Sequence, residues 1–154
     1  MSRIIKLIVC IVLPLIIGGI SGFLTVSEIS GWYTALNKPS FNPPNYLFGP
    51  VWTLLYLLMG VSLFLVLEAK INSKRNALVF FFVQLTLNFF WSILFFREHQ
   101  VALALADIVA LWLGILMTIV TFYKINRVAG LLQIPYLLWV SFATLLNASI
   151  FYLN

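Results

Sequence analysis

The sequence predicts an all-α membrane protein built as a bundle of five transmembrane helices. The first observation behind this prediction is the composition: 63% of the 154 residues are hydrophobic and only 8% are charged, whereas charged residues make up about 25% of an average globular domain. A water-soluble chain of this length has too little interior to bury so much apolar surface. The second observation is that the apolar residues form five runs, each long enough to cross a hydrocarbon core of about 30 Å. Helices are expected for these runs because a helix satisfies its own backbone hydrogen bonds in lipid.

The five apolar runs define the expected helices and the connections between them. We place the helices at residues 7–24, 48–67, 77–96, 101–123 and 128–153 of a single domain that covers residues 1–154. The connection over residues 25–47 is long and rich in proline, asparagine, serine and aromatic residues, and the other connections are short. Short connections make consecutive helices antiparallel neighbours. The first run begins like a secretory signal peptide but lacks an A-x-A cleavage site, so we expect it to be retained as a helix.

The basic residues are distributed unevenly over the two ends of the expected bundle. One end receives Arg3, Lys6, Lys70, Lys74, Arg75, Lys124 and Arg127, and the other end receives only Lys38 and Arg97. The positive-inside rule therefore predicts a multi-pass protein of the cell membrane with a cytoplasmic N-terminus, and with the C-terminus and the long first connection outside. No basic stripe with interleaved aromatic residues occurs, so the net charge of +5 does not indicate a nucleic-acid partner.

Residues that bind metals or act as nucleophiles form no recognisable pattern. Cys10 is the single cysteine and cannot form an internal disulfide. His99 stands alone in a short connection, and we interpret it as a solvated loop residue, although a loop histidine could in principle ligate a haem iron. The sequence predicts no metal site and no required cofactor, and it shows no nucleophile with an adjacent base that would indicate an enzyme.

Polar residues inside the third span share one helical face. Gln84, Asn88, Trp91 and Phe95 follow one another at spacings that place them on one side of a helix. Polar groups are costly in hydrocarbon, so this face has two interpretations. Its amides either hydrogen-bond between helices and hold the bundle together, or they form the floor of a cavity.

Four further residues in the spans carry specific expectations. Asp107 is the only acidic residue well inside a span; it could relay protons or bind a cation, and we favour a structural role for a protonated or hydrogen-bonded carboxyl group. Pro135 removes a backbone donor and is expected to kink or locally open the fifth helix. Gly18 and Gly22 form a G-x-x-x-G spacing, which allows two helices to approach closely, and we expect them at the interface of a homodimer.

The tryptophans indicate a pocket inside the bundle. Tryptophans of membrane proteins usually lie at the lipid–water interface, but Trp52, Trp91 and Trp139 share helical faces with small or polar residues. Inward aromatic side chains with a few amides are typical of a pocket for a large, flat, mostly apolar ligand.

Four motifs give the chain a resemblance to a known family. In chain order they are Trp32-Tyr33-x-x-Leu36-x-Lys38-Pro39-x-Phe41-x-Pro43-Pro44, Pro50-Val51-Trp52-Thr53-x-x-Tyr56-x-x-Met59-Gly60, Gln84-Leu85-x-Leu87-Asn88-x-x-Trp91-Ser92-x-x-Phe95-Phe96, and Pro135-Tyr136-x-x-Trp139-x-x-Phe142-Ala143-Thr144-x-x-Asn147. In this order, on five expected spans, they closely resemble the translocator protein family. Its bacterial members are known as tryptophan-rich sensory protein, TspO, and its animal members as the peripheral benzodiazepine receptor.

The resemblance implies a five-helix bundle, often a homodimer, whose ligand cavity is closed by the connection over residues 25–47. It implies binding of porphyrins such as protoporphyrin IX, of haem-like tetrapyrroles and of benzodiazepine-type ligands, with a role in tetrapyrrole regulation or stress response. By motif match, the pocket would be lined by Tyr33, Pro43, Pro44, Phe48, Trp52, Tyr56, Asn88, Trp91, Trp139, Phe142, Ala143 and Leu146. Lys38 is the candidate to meet the propionates of a porphyrin near the mouth of the pocket.

The resemblance leaves several functions open. A membrane receptor for porphyrins is the leading hypothesis. The alternatives are a transporter of porphyrin or other amphipathic solutes, and a light-dependent porphyrin-degrading protein in which Trp52 and Trp139 would be the catalytic residues. Sterol binding is doubtful because Tyr152 is not followed by the basic residue of the animal sterol pattern. Phe41 stands where many members have a tryptophan, which removes one indole but is expected to keep an aromatic contact.

Overall fold

A computed structural model describes all 154 residues as a helical bundle without strands. The helices are α1 (Arg3–Ser30), α2 (Phe48–Glu68), α3 (Arg75–Ser92), α4 (Val101–Ile125), α5 (Arg127–Leu131) and α6 (Ile134–Leu153). Two 3-10 turns lie in the first connection, at Trp32–Ala35 and Asn45–Leu47, and a π-helical turn, Ile93–Arg97, continues α3. Five segments are long and apolar enough to cross a membrane, which confirms the predicted fold class.

The first helix is longer at both ends than its apolar run. It begins one residue after Ser2, whose hydroxyl accepts a hydrogen bond from the Ile5 amide and so caps the first turn. At the other end it continues past residue 24, where the hydroxyls of Thr25 and Ser30 donate to backbone carbonyls of the preceding turn. Polar residues that bond to their own helix can extend it beyond the hydrocarbon, so the first connection is reduced to residues 31–47.

The helices form a ring in which α1 packs against α2 and α3, α3 against α4, and α4 against α6. The short helix α5 closes the ring at the end that carries most of the basic residues, which we call the basic end, because it packs against both α2 and α4. The opposite end, where the first connection lies, is called the loop end. Aromatic rings of α2 and α6 lie beside each other between the middle of the bundle and this end, with Trp52 beside Tyr136 and Phe48 beside Trp139.

Glycine allows α1 and α2 to cross at backbone distance. A Cβ atom added to Gly60 on α2 would lie 2.5 Å from Ile11 Cα and 2.7 Å from the Cys10 carbonyl oxygen. Near the basic end, Glu68 of α2 forms ion pairs with Arg3 at 3.2 Å and Lys6 at 2.6 Å. The two helices are therefore joined both at mid-membrane depth and at the basic end.

A chain of hydrogen bonds joins α2, α3 and α6 in the middle of the bundle. The Tyr56 hydroxyl donates to Asn88 Oδ1 at 2.7 Å, Asn88 Nδ2 donates to the Tyr136 hydroxyl at 2.8 Å, and that hydroxyl donates to Gln84 Oε1 at 2.8 Å. All four side chains are buried. For Gln84 and Asn88, the structure therefore agrees with the interpretation as interhelical hydrogen-bonding groups.

We expect Asn88→Leu to destabilise the bundle because it removes the acceptor of one buried hydroxyl and the donor to another. The expected loss is about 1–3 kcal/mol of unfolding free energy, measured as reduced thermal stability of the purified protein. Thr86→Val is the matched control, since Thr86 lies on the exposed side of α3 and its hydroxyl donates only to the Phe82 carbonyl of the same helix. Equal stability of the two variants would show that this hydrogen-bond chain does not hold the helices together.

The fifth span is broken close to Pro135, as expected. Helix α5 ends at Leu131 and α6 begins at Ile134, so that Pro135 occupies the first turn of α6, where a missing backbone donor costs little. The two intervening residues include Gln133, which is 1% exposed and whose side-chain amide has no hydrogen-bond partner.

Asp107 of α4 was expected to carry a protonated or hydrogen-bonded carboxyl group. It departs from the hydrogen-bonded alternative, because its buried Oδ2 atom has no hydrogen-bond partner on a neighbouring helix.

Candidate ligand cavity

A cavity of about 820 Å³ lies at the loop end of the bundle, within the range of about 300–1,000 Å³ typical of small-molecule sites. Its walls come from α1, from the loop-end half of α2, from the middle of α6, and from the end of α3 with its π-helical turn. Residues 31–47, which we call the lid, contribute Tyr33, Asn45 and Tyr46. Neither α4 nor α5 contributes a lining residue.

One wall of the cavity is a continuous aromatic surface centred on Trp52. The Trp52 ring lies 5.7 Å from Tyr56, 6.4 Å from Trp91 and 6.2 Å from Tyr136, measured between ring centroids. Trp91 stacks in turn on Phe95 at 5.5 Å, and its indole N–H donates to Asn147 Oδ1 at 3.0 Å. These spacings are those of favourable aromatic pairs, so the wall is packed before any ligand arrives.

A second aromatic group covers the α6 side. The Trp139 ring lies 6.4 Å from Phe48 and 5.5 Å from Phe142, and Phe142 is 6.0 Å from Phe41 of the lid. Phe41 therefore makes the aromatic contact that was expected of it in place of a tryptophan.

The π-helical turn Ile93–Arg97 places two phenylalanines at the cavity instead of one. A π turn inserts one extra residue into a helical turn, and Phe95 and Phe96 are both buried and both line the cavity. Because π turns are frequent at functional sites, this turn supports the assignment of the cavity as the site.

The lid is fixed from within by Tyr33 and Lys38. Tyr33 is 1% exposed, and its hydroxyl donates to Asn42 Oδ1 at 2.6 Å. Burial raises the pKa of Tyr33 to about 12, partly offset by the hydrogen bond with Asn42, so the phenol stays protonated at any physiological pH. The Lys38 ammonium donates to the carbonyl oxygens of Tyr33 at 2.8 Å, Leu36 at 3.1 Å and Thr34 at 3.3 Å.

This geometry gives Lys38 a structural role that the sequence did not predict. An ammonium group has three N–H donors, and here all three have backbone acceptors within the lid. The ammonium also lies 4.9 Å above the Tyr33 ring, which adds a cation–π contact. Lys38 therefore stabilises the lid, and its contact with an acidic group of a ligand stays a prediction.

Two further contacts attach the lid to the bundle, in addition to the aromatic packing of Tyr33 and Phe41. Trp32 stacks on His99 with ring centroids 4.2 Å apart, and His99 Nε2 lies 2.9 Å from Glu28 Oε2. On the other side, the side-chain amide of Asn154 exchanges two hydrogen bonds with the backbone of Asn37, at 3.1 and 2.9 Å. His99 is exposed in its connection, as expected of a solvated loop residue, and its ring also joins the lid to the connection between α3 and α4.

We expect Tyr33→Phe to loosen the lid without changing its aromatic packing. The variant loses the hydrogen bond to Asn42, worth about 1 kcal/mol, and hydrogen–deuterium exchange should become faster over residues 31–47. Tyr46→Phe is the control, because Tyr46 lies in the same lid but is 75% exposed. Unchanged exchange in Tyr33→Phe would mean that this hydrogen bond does not hold the lid.

Comparison with known proteins agrees with the family that the sequence motifs resemble. The family described as the TspO/MBR family matches residues 10–153. The chain belongs to this family. It is 44% identical over 152 residues to the tryptophan-rich protein TspO of Archaeoglobus fulgidus, a match that covers 99% of both chains. It is also 44% identical over 155 residues to the protein of the same name from Chlorobaculum tepidum, covering 99% of this chain and 98% of the relative. The human translocator protein is 37% identical over 119 residues, which are 75% of this chain and 70% of the relative.

Most of the pocket residues that the resemblance to TspO implied are at the cavity. Those that line it are Tyr33, Phe48, Trp52, Tyr56, Trp91, Trp139, Phe142, Ala143 and Leu146. Their contact with a ligand stays a prediction.

Three of the implied pocket residues lie outside the lining. Asn88 is 2% exposed and hydrogen-bonds to Tyr56 and Tyr136, so it supports the wall from behind. Pro43 and Pro44 lead into the 3-10 turn Asn45–Leu47. They shape the lid while the following residue, Asn45, reaches the cavity.

Gly18 and Gly22 also line the cavity of this TspO/MBR chain. A Cβ atom on Gly18 would come within 2.6 Å of three Tyr56 ring atoms, whereas one on Gly22 would meet nothing within 4 Å. The close approach inferred from the glycine spacing therefore occurs inside one chain at Gly18, and the role of the pair in a homodimer stays a prediction.

The α1 wall was missed by the sequence-based assignment of site residues. It includes Leu15, Ser21, Thr25, Val26 and Ile29. Because α1 was expected to end at residue 24, its last turns were assigned to the first connection, residues 25–47. The spacing of Gly18, Ser21, Gly22 and Thr25 at i, i+3, i+4 and i+7 is a single small-residue face that could have identified this wall.

Proposed function

We propose that this chain is an integral membrane receptor that binds a flat, largely apolar ligand in the cavity beneath the lid. A porphyrin such as protoporphyrin IX, or a haem-like tetrapyrrole, is the proposed ligand, and benzodiazepine-type molecules would occupy the same space. The observation that carries the proposal is the cavity of about 820 Å³ between the aromatic surfaces of Trp52 and Trp139. Aromatic stacking and burial of apolar area supply the affinity for such a ligand.

We propose that this receptor acts in tetrapyrrole regulation or stress response, and the name of one relative fits a sensory role. A protein of Cereibacter sphaeroides that is 39% identical over 123 residues is named tryptophan-rich sensory protein. A sensor needs a site whose occupancy changes the structure around it. Here the lid contributes to the cavity and contacts both α6 and the α3–α4 connection. Ligand-dependent movement of the lid is the proposed signal.

The membrane arrangement that goes with this proposal has the basic end in the cytoplasm. Arg3, Lys70, Lys74, Arg75 and Lys124 lie at or beyond the helix ends on this side, as the positive-inside rule requires. The cavity and the lid would then face the outside of the cell membrane. A homodimer is part of the proposal, and sterol binding is not.

Ligand binding is tested in the dark with protoporphyrin IX. Purified protein in detergent is titrated, and tryptophan quenching and the porphyrin absorption spectrum are recorded together. We expect saturable binding with one porphyrin per chain at micromolar concentrations or below. Absence of a saturable spectral change would reject the porphyrin proposal.

Light-dependent degradation of porphyrin is the second candidate function. It is favoured by one observation: the indoles of both Trp52 and Trp139 line the cavity, so either could donate an electron to an excited macrocycle. Illumination should bleach the bound porphyrin, and Trp52→Phe and Trp139→Phe should slow bleaching. Trp112→Phe is the control, because Trp112 lies outside the cavity and donates to Ser141 Oγ. If all three variants bleach as fast as the unsubstituted chain, the tryptophan photochemistry is excluded.

A further inference from the structure

The lid, α1 and the connection between α3 and α4 meet at the side chain of His99. Its ring stacks on Trp32 of the lid, with the ring centroids 4.2 Å apart and an angle of 11° between the planes. Its Nε2 atom lies 2.9 Å from Glu28 Oε2 of α1. One side chain therefore connects three segments at the loop end of the bundle. We call Glu28, His99 and Trp32 the latch.

The backbone around His99 is tied to the bundle. The Glu98 amide donates to the Ile93 carbonyl at 2.9 Å, and the Gln100 amide donates to the Leu94 carbonyl at 2.8 Å. His99 itself has a φ of 55°, a left-handed conformation that is uncommon for a residue with a Cβ atom. Such strain persists where the surrounding structure fixes it, and it is concentrated at functional sites and switch regions.

Trp32 connects the latch to the wall of the cavity. Its ring lies 5.7 Å from that of Phe95, edge to face at 73°, and Phe95 is buried and lines the cavity. The Trp32 indole is thus held between a ring of the wall and the imidazole of His99. A weaker contact with His99 therefore loosens the lid where it joins the wall.

Both contacts of the His99 ring depend on its charge. Histidine is the side chain that ordinarily gains or loses its charge between about pH 5 and pH 8. A neutral imidazole with its proton on Nε2 donates one hydrogen bond to Glu28 and stacks on Trp32. Protonation makes the hydrogen bond charge-assisted and turns the stacking into a cation–π contact. Both changes favour the attached lid.

The other contacts that attach the lid do not have this property. Asn37 and Asn154 meet through amide groups, and Phe41 and Phe142 meet through their rings. The Tyr33 phenol stays protonated because burial raises its pKa to about 12. The latch is therefore the contact through which a change of pH near neutrality reaches the lid.

Few other charged residues belong to the segments that meet at the latch. Arg97 and Glu98 precede His99, and Arg97 Nε lies 3.9 Å from Glu98 Oε1. Lys38 is the charged residue of the lid, and its ammonium donates to lid carbonyls. Glu28 is the charged residue in the last turns of α1, and the first turn of α4 and the last turn of α6 contain none. Glu28 is thus the carboxylate in hydrogen-bond contact with the imidazole.

We propose that the latch makes the lid pH-sensitive: protonated His99 holds the lid closed over the cavity, and neutral His99 lets it open more often. The added stability of the closed lid is present at low pH and is lost as the pH rises through the titration of His99. This inference goes beyond the proposed function, because it does not depend on which ligand occupies the cavity.

The test is hydrogen–deuterium exchange of residues 31–47 at pH 5.5 and at pH 8 in the protein without ligand. Each rate is divided by the intrinsic exchange rate at that pH. The lid should exchange about threefold to tenfold more slowly at pH 5.5, the effect of an exposed ion pair combined with a cation–π contact. The chain contains one histidine, so its NMR signal is unambiguous. Its titration should have the same midpoint as the change in exchange.

Two variants remove the charge from one side of the latch. His99→Asn cannot become charged, and asparagine tolerates a left-handed backbone, so the connection keeps its conformation and the pH difference should disappear. Glu28→Gln keeps His99 and a hydrogen-bond acceptor, and the difference should become smaller. Glu98→Gln is the matched control, because Glu98 is adjacent to His99 in sequence but contacts Arg97. It should keep the full difference.

The contrary outcomes are distinct. Lid exchange that is independent of pH in the unsubstituted chain, or faster at pH 5.5, would overturn the inference. A pH difference that His99→Asn retains would do the same, because the titrating group would then lie elsewhere. A difference lost in Glu98→Gln would also overturn it, since acidic charge in general, and not the contact with Glu28, would be responsible. None of these results bears on porphyrin binding, which the dark titration tests separately.

Discussion

Gly60→Ala should destabilise the bundle by about 3 kcal/mol, which for a chain of this size lowers the Tm by about 10 °C. The added methyl group would lie 2.5 Å from Ile11 Cα and 2.7 Å from the Cys10 carbonyl oxygen. Both are backbone atoms, so no side-chain rotation relieves the contact and α1 has to move away from α2. Since α1 forms one wall of the cavity, ligand affinity should fall as well.

The matched control is Gly22→Ala. Gly22 lies on α1 with nothing within 4 Å of an added Cβ atom, and alanine is favoured over glycine inside a helix by about 0.5–1 kcal/mol. The two substitutions should therefore change thermal stability in opposite directions. A Gly60→Ala protein as stable as the unsubstituted chain would show that the close crossing of α1 and α2 is not required for the fold.

The sequence predicted the five spans because lipid restricts the choices more than water does. A run of apolar residues long enough to cross the membrane has to be helical, since its backbone polar groups find no other partner there. The break near Pro135 was predictable for the same local reason: proline lacks a backbone donor. The ends of α1 were not, because Ser2, Thr25 and Ser30 extend the helix by hydrogen bonds that hydropathy does not register.

The parts of the site that depend on tertiary contacts were harder to predict. The π-helical turn that brings Phe95 and Phe96 to the cavity has no signature in the local sequence. Lys38 and His99 lie in connections, where a side chain without protein partners is expected, yet each has partners. Carbonyl groups of the lid accept hydrogen bonds from Lys38. His99 contacts Glu28 of α1 and Trp32 of the lid. Motif matching likewise grouped Asn88 with the lining, although it lies behind Tyr56.

Ala143→Trp should abolish ligand binding at concentrations that saturate the unsubstituted chain. Ala143 is 6% exposed and lies on the α6 wall between the aromatic residues Trp139 and Phe142 and the polar Asn147. An indole at this position fills space that a flat macrocycle needs, and overfilling an already packed wall is unfavourable. The expected increase in Kd for protoporphyrin IX is at least tenfold.

Binding of protoporphyrin IX to Ala143→Trp and to Ala110→Trp is the most direct test of the cavity as the site. Ala110 is exposed on α4 and outside the lining, so the same substitution there adds an indole without entering the cavity. Thermal unfolding of both variants shows that each is folded before the titration in the dark. We predict that Ala110→Trp binds like the unsubstituted chain and that Ala143→Trp does not. Equal, saturable binding by both variants would contradict the account, because the ligand would then occupy a site other than this cavity.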